Sequence, residues 1–78
     1  MEFATGQYVR RERARRNWSQ EELGKRVGLS GGMISRIETG QKPITSMTTL
    51  IRLCEELAIG FDDLLILAID DYRMREGG

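Results

Sequence analysis

The chain has 78 residues, with 12 basic and 12 acidic groups, one cysteine and no histidine. That length fits one small domain with a thin margin of core burial, which good helix packing or a second copy is expected to reinforce. A single cysteine excludes an internal disulfide framework, and the lack of histidine excludes an ordinary zinc site; a reducing cytoplasm fits this composition.

The first predicted helix runs from about Thr5 to Arg16, with Val9 and Ala14 turned inward. Next, Ser19 and Glu22 form an S-x-x-E capping box, and Trp18 with Leu23 has the spacing of a hydrophobic staple. A second helix therefore starts at Gln20 and reaches Val27, with Leu23 and Val27 as its apolar edge. Gly24 inside it costs about 1 kcal/mol relative to alanine, which is understandable where a second helix backbone passes too close for a side chain. Gly28 ends the helix, because glycine enters the left-handed conformation without a Cβ penalty. Leu29 then turns inward and Ser30 caps a third helix, Gly31 to Thr39, whose buried edge is Ile34 and Ile37.

A loop from Gly40 to Thr45 holds the only proline, Pro43. The fourth helix, about Ser46 to Leu57 with Ser46 as its cap, carries Leu50, Leu53, Cys54 and Leu57 at helical spacing. Cys54 thus reads as a small buried hydrophobe rather than a reactive thiol. Gly60 breaks the chain. Asp62 and Asp63 then favour the dipole at the start of a fifth helix, which runs from about Phe61 to Arg73. Its apolar run, Leu64 to Ile69, is far too short to span a bilayer, so no membrane partner is expected. The N-terminus lacks the basic-then-apolar order of a signal peptide. Gly77-Gly78 reads as a frayed end, an expression scar or the point where a longer protein is cut.

The run Trp18-Ser19-Gln20-Glu21-Glu22-Leu23, then Gly28-Leu29-Ser30, then Ile34-Ser35-Arg36-Ile37-Glu38-Thr39-Gly40 resembles the Cro/repressor, or xenobiotic-response-element, type of helix-turn-helix. Gly6, Val9, Arg10 and Arg13 fall on that family's first-helix pattern, and Pro43, Leu50, Leu53, Leu57, Ile59 and Leu64 on its last two helices. The resemblance covers about Gly6 to Leu67, with a slightly longer stretch than usual between Gly40 and Leu50. It implies an all-α, five-helix, lambda-repressor-like domain over residues 1–78, with the helix-turn-helix at 20–39. It also implies double-stranded DNA as partner, no cofactor, and a third helix lying in the major groove.

Carried over residue by residue, the base-reading positions fall on Gly31, Gly32, Ser35 and Arg36, with Ser30 at the edge. Two glycines stand where long polar side chains often read bases, which leaves Arg36 as the main candidate for a guanine. Phosphate contacts are expected from Ser19 and Gln20 at the start of the second helix, and from Gln41, Lys42, Thr45 and Ser46 after the third. The resemblance makes Arg13 and Glu38 a structural ion pair that sets the angle of the recognition helix.

Charge is divided along the chain. Residues 1–42 hold nine basic against five acidic groups, and residues 43–78 hold three against seven. The helix-turn-helix half is therefore the basic half, as a phosphate-facing surface requires. Arginines such as Arg11 and Arg15 could equally just solvate the first helix.

In the fifth helix, Phe61, Leu64, Leu65, Ala68 and Tyr72 suffice to pack it on its own domain. Ile66, Leu67 and Ile69 are left over. With Tyr72 they form the expected homodimer interface, and a two-fold dimer would read a pseudo-palindromic operator. The same fold could alternatively serve as an antitoxin or protein-interaction module. An enzyme is poorly supported, since no Gly-Lys-Ser/Thr follows the glycines and no nucleophile–base pair is evident. No pocket-sized effector domain is visible.

Overall fold

Residues 4–44 and 46–77 are described in the computed structural model, and they form helices joined by short turns, without a strand. The order is α1 (Ala4–Arg15), α2 (Gln20–Val27), α3 (Gly31–Glu38), α4 (Met47–Leu57) and α5 (Phe61–Gly77). Every helix contributes to one core: Val9 from α1, Leu23 and Val27 from α2, Ile34 from α3, Leu50, Leu53, Cys54 and Leu57 from α4, and Leu64 from α5. Leu23, Ile34, Leu53, Leu57 and Leu64 are completely buried, each contributing roughly 1.5–3 kcal/mol over an exposed side chain. Trp18, Leu29, Ile44, Ile59, Phe61, Leu65 and Ala68 cover the rim.

The helix ends follow the chain's own chemistry. Ser19, Ser30 and Ser46 each accept a hydrogen bond from the backbone N–H three residues on, and so cap α2, α3 and α4. At Ser19 the box is only half closed, because the Glu22 carboxylate pairs with Arg26 at 3.1 Å. Helix α4 ends at Leu57, as expected, and Ala58 after it takes the left-handed conformation (φ 53°), its N–H closing on the Cys54 carbonyl. Cys54 is buried, and burial first, then the Glu55 charge, pushes its thiol pKa up.

Two expectations about inward faces fail. Ala14 is exposed; Glu12 holds a buried position on α1 instead, with Arg15 and Arg16 on its carboxylate at 3.0 and 3.2 Å. Burial raises the Glu12 pKa, but the hydrogen bonds and charges of Arg16 and Arg15 outweigh it and leave it lowered. Tyr72 is 57% exposed, and Asp71 beside it points inward. The inner line of α5 is Leu64, Ala68 and Asp71, at i, i+4 and i+7. Helix α5 also continues one turn past the expected end.

Candidate nucleic-acid interface

The α2–α3 joint is tight. Gly28 has φ 80°, and its N–H donates to the Gly24 carbonyl. The Leu29 N–H donates to the same oxygen at 2.8 Å. A Cβ on Gly24 would lie 2.3 Å from the Leu29 carbonyl oxygen. What excludes a side chain is thus the backbone of the turn rather than of the second helix.

The joint turns one face of α3 outward. Ser30, Gly32 and Arg36 are exposed, and Gly31 and Ser35 are half-buried. Neither glycine has a positive φ. A Cβ on Gly32 would meet nothing closer than the Ser30 hydroxyl at 3.9 Å, and one on Gly31 would touch the flexible Glu21 side chain at 3.0 Å. The interior of the protein therefore gives Gly32 no reason to be glycine. Together the two leave the first turn of α3 as bare backbone, open to close approach from outside. Ser30's hydroxyl is engaged in its cap, accepting from the Met33 N–H at 3.1 Å.

Behind this face, an ion pair ties α3 to α1. Arg13 in α1 grips Glu38 bidentately, Nε to Oε2 at 2.6 Å and Nη2 to Oε1 at 3.0 Å. Its Nη1 donates to the Trp18 carbonyl at 2.7 Å. The Glu38 side chain is 2% exposed and that of Arg13 16%. The bond to Glu38 raises the Arg13 pKa further, against a smaller desolvation effect. A Cβ on Gly6 would stand 2.4 and 2.5 Å from the carbonyl oxygens of Ile37 and Glu38, so α1 lies directly against the last turn of α3.

The candidate phosphate residues lie at the start of α2 and in the segment that follows α3. Ser19 is exposed, with its hydroxyl accepting from the Glu22 N–H at 3.0 Å. Gln20 is half-buried, and its side-chain amide donates to Glu38 Oε1 at 3.1 Å. It therefore belongs to the ion-pair network, and its backbone N–H is the group left at the helix start. Gln41 and Lys42 are exposed, and both their N–H groups donate to the Arg36 carbonyl, at 2.9 and 3.2 Å. Ser46 caps α4. Thr45 lies outside the described residues. The guanidinium of Arg36 and the amine of Lys42 have no hydrogen-bond or ion-pair partner among the described residues, whereas Arg13, Arg16 and Arg26 are all engaged.

On α5, away from the core, Ile66 is 58% and Ile69 41% exposed, with Tyr72 beside them and Leu67 half-buried. Two polar residues of this helix escaped the sequence reading. The Asp71 carboxylate accepts from the N–H groups of Ala4 and Thr5 at 3.1 and 2.9 Å, capping α1 from 66 residues away. Arg75 donates to the Gly40 carbonyl. Their place on the inner line of Leu64 and Ala68, reached in steps of three and four residues, was the available signal.

A sequence profile described as helix-turn-helix matches residues 9–64. No curated protein matches the chain in sequence. Among solved structures, the clp gene regulator ClgR of Corynebacterium glutamicum is 31% identical, over 86% of each chain, with a TM-score of 0.69. The restriction-modification controller protein C.AhdI of Aeromonas hydrophila is 30% identical over 77% of this chain and 89% of its own, with a TM-score of 0.69. The P22 c2 repressor, solved in complex with a synthetic operator, is 28% identical over 82% of this chain and 94% of its own, with a TM-score of 0.73.

Proposed function

The chain belongs to the Cro/repressor type of helix-turn-helix family, and from that premise we propose that it is a DNA-binding transcriptional regulator acting as a homodimer on a pseudo-palindromic operator. The observation that carries this reading is the unpartnered Arg36 guanidinium on the exposed face of a helix locked in place by Arg13 and Glu38. Helix α3 enters the major groove, where Arg36 donates to guanine O6 and N7. Ser35 and the backbone of Gly31 and Gly32 face neighbouring bases, directly or through water, with Ser30 at the edge. Ser19, Gln20, Gln41, Lys42, Thr45 and Ser46 meet the phosphates on either side. The location is the cytoplasm, and the domain spans residues 1–78. That P22 c2 repressor was solved on operator DNA supports duplex DNA as the ligand here.

Selection of bound fragments from random duplexes identifies the site. On that site, Arg36→Ala is expected to cost about 1–3 kcal/mol and to relax one base preference. Lys42→Ala weakens matched and scrambled duplexes alike and reduces the salt slope by about one. Equal loss on both duplexes for Arg36→Ala would reduce that residue to a phosphate contact.

Homodimerisation rests on the exposed Ile66, Ile69 and Tyr72, with the half-buried Leu67 beside them. Apolar side chains clustered along one helix gain by covering one another, and a two-fold axis there sets the recognition helices about 34 Å apart. Sedimentation at micromolar concentration is expected to show a dimer for the wild type and a monomer for Ile69→Glu. A wild type that stays monomeric even on DNA excludes this arrangement.

A further inference from the structure

The loop that follows α3 is held from both sides, and one of those sides is the end of α5. Gly40 is buried and left-handed (φ 81°), and its N–H closes back on the Ile37 carbonyl at 3.2 Å. The next two N–H groups, of Gln41 and Lys42, converge on the Arg36 carbonyl. This left-handed turn satisfies the donors of the loop and turns the Gly40 carbonyl away from α3. A buried carbonyl without a partner is costly. Arg75, 35 residues further on, supplies the partner.

Arg75 is itself held in register. One turn earlier on the same face of α5, Asp71 is locked to the first N–H groups of α1. Helix α1 in turn lies against the Ile37 and Glu38 carbonyls at Gly6. The last turns of α5, the start of α1 and the end of α3 thus form a closed circuit around Gly40. Lys42 leaves that circuit two residues on, exposed and with its charge unpaired among the described residues.

We propose that Arg75 is a positioning residue for DNA binding, which through the Gly40 carbonyl holds the 40–42 loop so that Lys42 meets the phosphate backbone. This rests on the reading that the chain binds duplex DNA, and it adds a residue outside the helix-turn-helix to that machinery. A guanidinium suits the role, because its planar, permanently charged fork gives a strong, directed hydrogen bond to a carbonyl. Acting through the Gly40 carbonyl, Arg75 bears on affinity and not on sequence preference. It also lies on the same helix as Ile66, Ile69 and Tyr72.

The test uses the full chain, with matched and scrambled duplexes, at a temperature where circular dichroism shows each variant fully folded. Arg75→Met is expected to weaken both duplexes about as much as Lys42→Ala and to lower the salt slope by about one. The double variant Arg75→Met/Lys42→Ala is expected to bind no more weakly than Lys42→Ala alone, since the two residues act through one contact. Arg75→Gln keeps a polar head on a shorter stem, and gives the same readout should the apolar substitution unfold the chain. An unchanged salt slope, or losses that simply add, overturns the proposal and leaves Arg75 as a stabilising contact only. Failure of the wild type to bind either duplex overturns the DNA-binding reading itself, and this proposal with it.

Discussion

Glu38→Gln is expected to destabilise the protein by about 3 kcal/mol, although only one atom of the side chain changes. The carboxylate is almost fully buried and accepts from Arg13 Nε, Arg13 Nη2 and Gln20 Nε2. A neutral amide has one acceptor oxygen and turns an NH2 donor toward a donor already in place. The Arg13 guanidinium is then left charged and largely enclosed. Breaking one side of a well-buried pair costs roughly 3–5 kcal/mol. The lower end applies here because Arg13 keeps the Trp18 carbonyl and some contact with water. At about 0.05–0.15 kcal/mol per residue, a chain of this length has roughly 4–12 kcal/mol in total. One substitution therefore removes a quarter or more of its stability. Urea unfolding of Glu38→Gln, Arg13→Met and the double variant measures it. The double variant should fall well short of the sum, and strictly additive losses would mean that the two residues do not interact.

Gly6→Ala is expected to cost nearly as much by a steric route. In an exposed helix, alanine gains about 1 kcal/mol over glycine. At Gly6 the added methyl would stand 2.4 Å from one backbone carbonyl oxygen and 2.5 Å from the next. Neither is the tip of a side chain that can rotate away, so α1 and α3 must separate. Overpacking of this kind costs roughly 1–3 kcal/mol, and a clash with backbone belongs at the upper end. Gly32→Ala is the matched control: its methyl enters open space, and the isolated protein should gain stability. Thermal melts that place the two variants on the same side of wild type would refute the distinction.

Much of this was legible in the sequence because short-range chemistry encodes it. The Ser19, Ser30 and Ser46 caps each need one hydroxyl and an N–H three residues on. The left-handed stop at Gly28 needs only glycine, and the buried leucines follow helical spacing. The resemblance pointed to Arg13 and Glu38, which the fold brings into contact. What escaped depends on long-range geometry. Asp71 looks like one more solvated acid until α1 places two N–H groups in front of it. Helical spacing placed Tyr72 on the inner stripe as well as at the dimer surface, yet α1 presents backbone N–H donors there, and Asp71 rather than Tyr72 turns inward. The left-handed residue after α4 is Ala58, which carries a Cβ, so no glycine in the sequence marked it.

The chain's one tryptophan stands at the joint between α1 and α2, half-buried, with the Arg26 guanidinium 4.0 Å and that of Arg16 5.8 Å from its ring. Its carbonyl is gripped by the same Arg13 that pairs with Glu38 of α3. The indole thereby becomes an optical probe built into the protein. Its emission arises from a single site, between two cations of the basic half and next to the N-terminus of α2. Loosening of the Arg13–Glu38 latch shifts the two cations and the water around the ring, and registers as a change in colour and intensity without any attached dye.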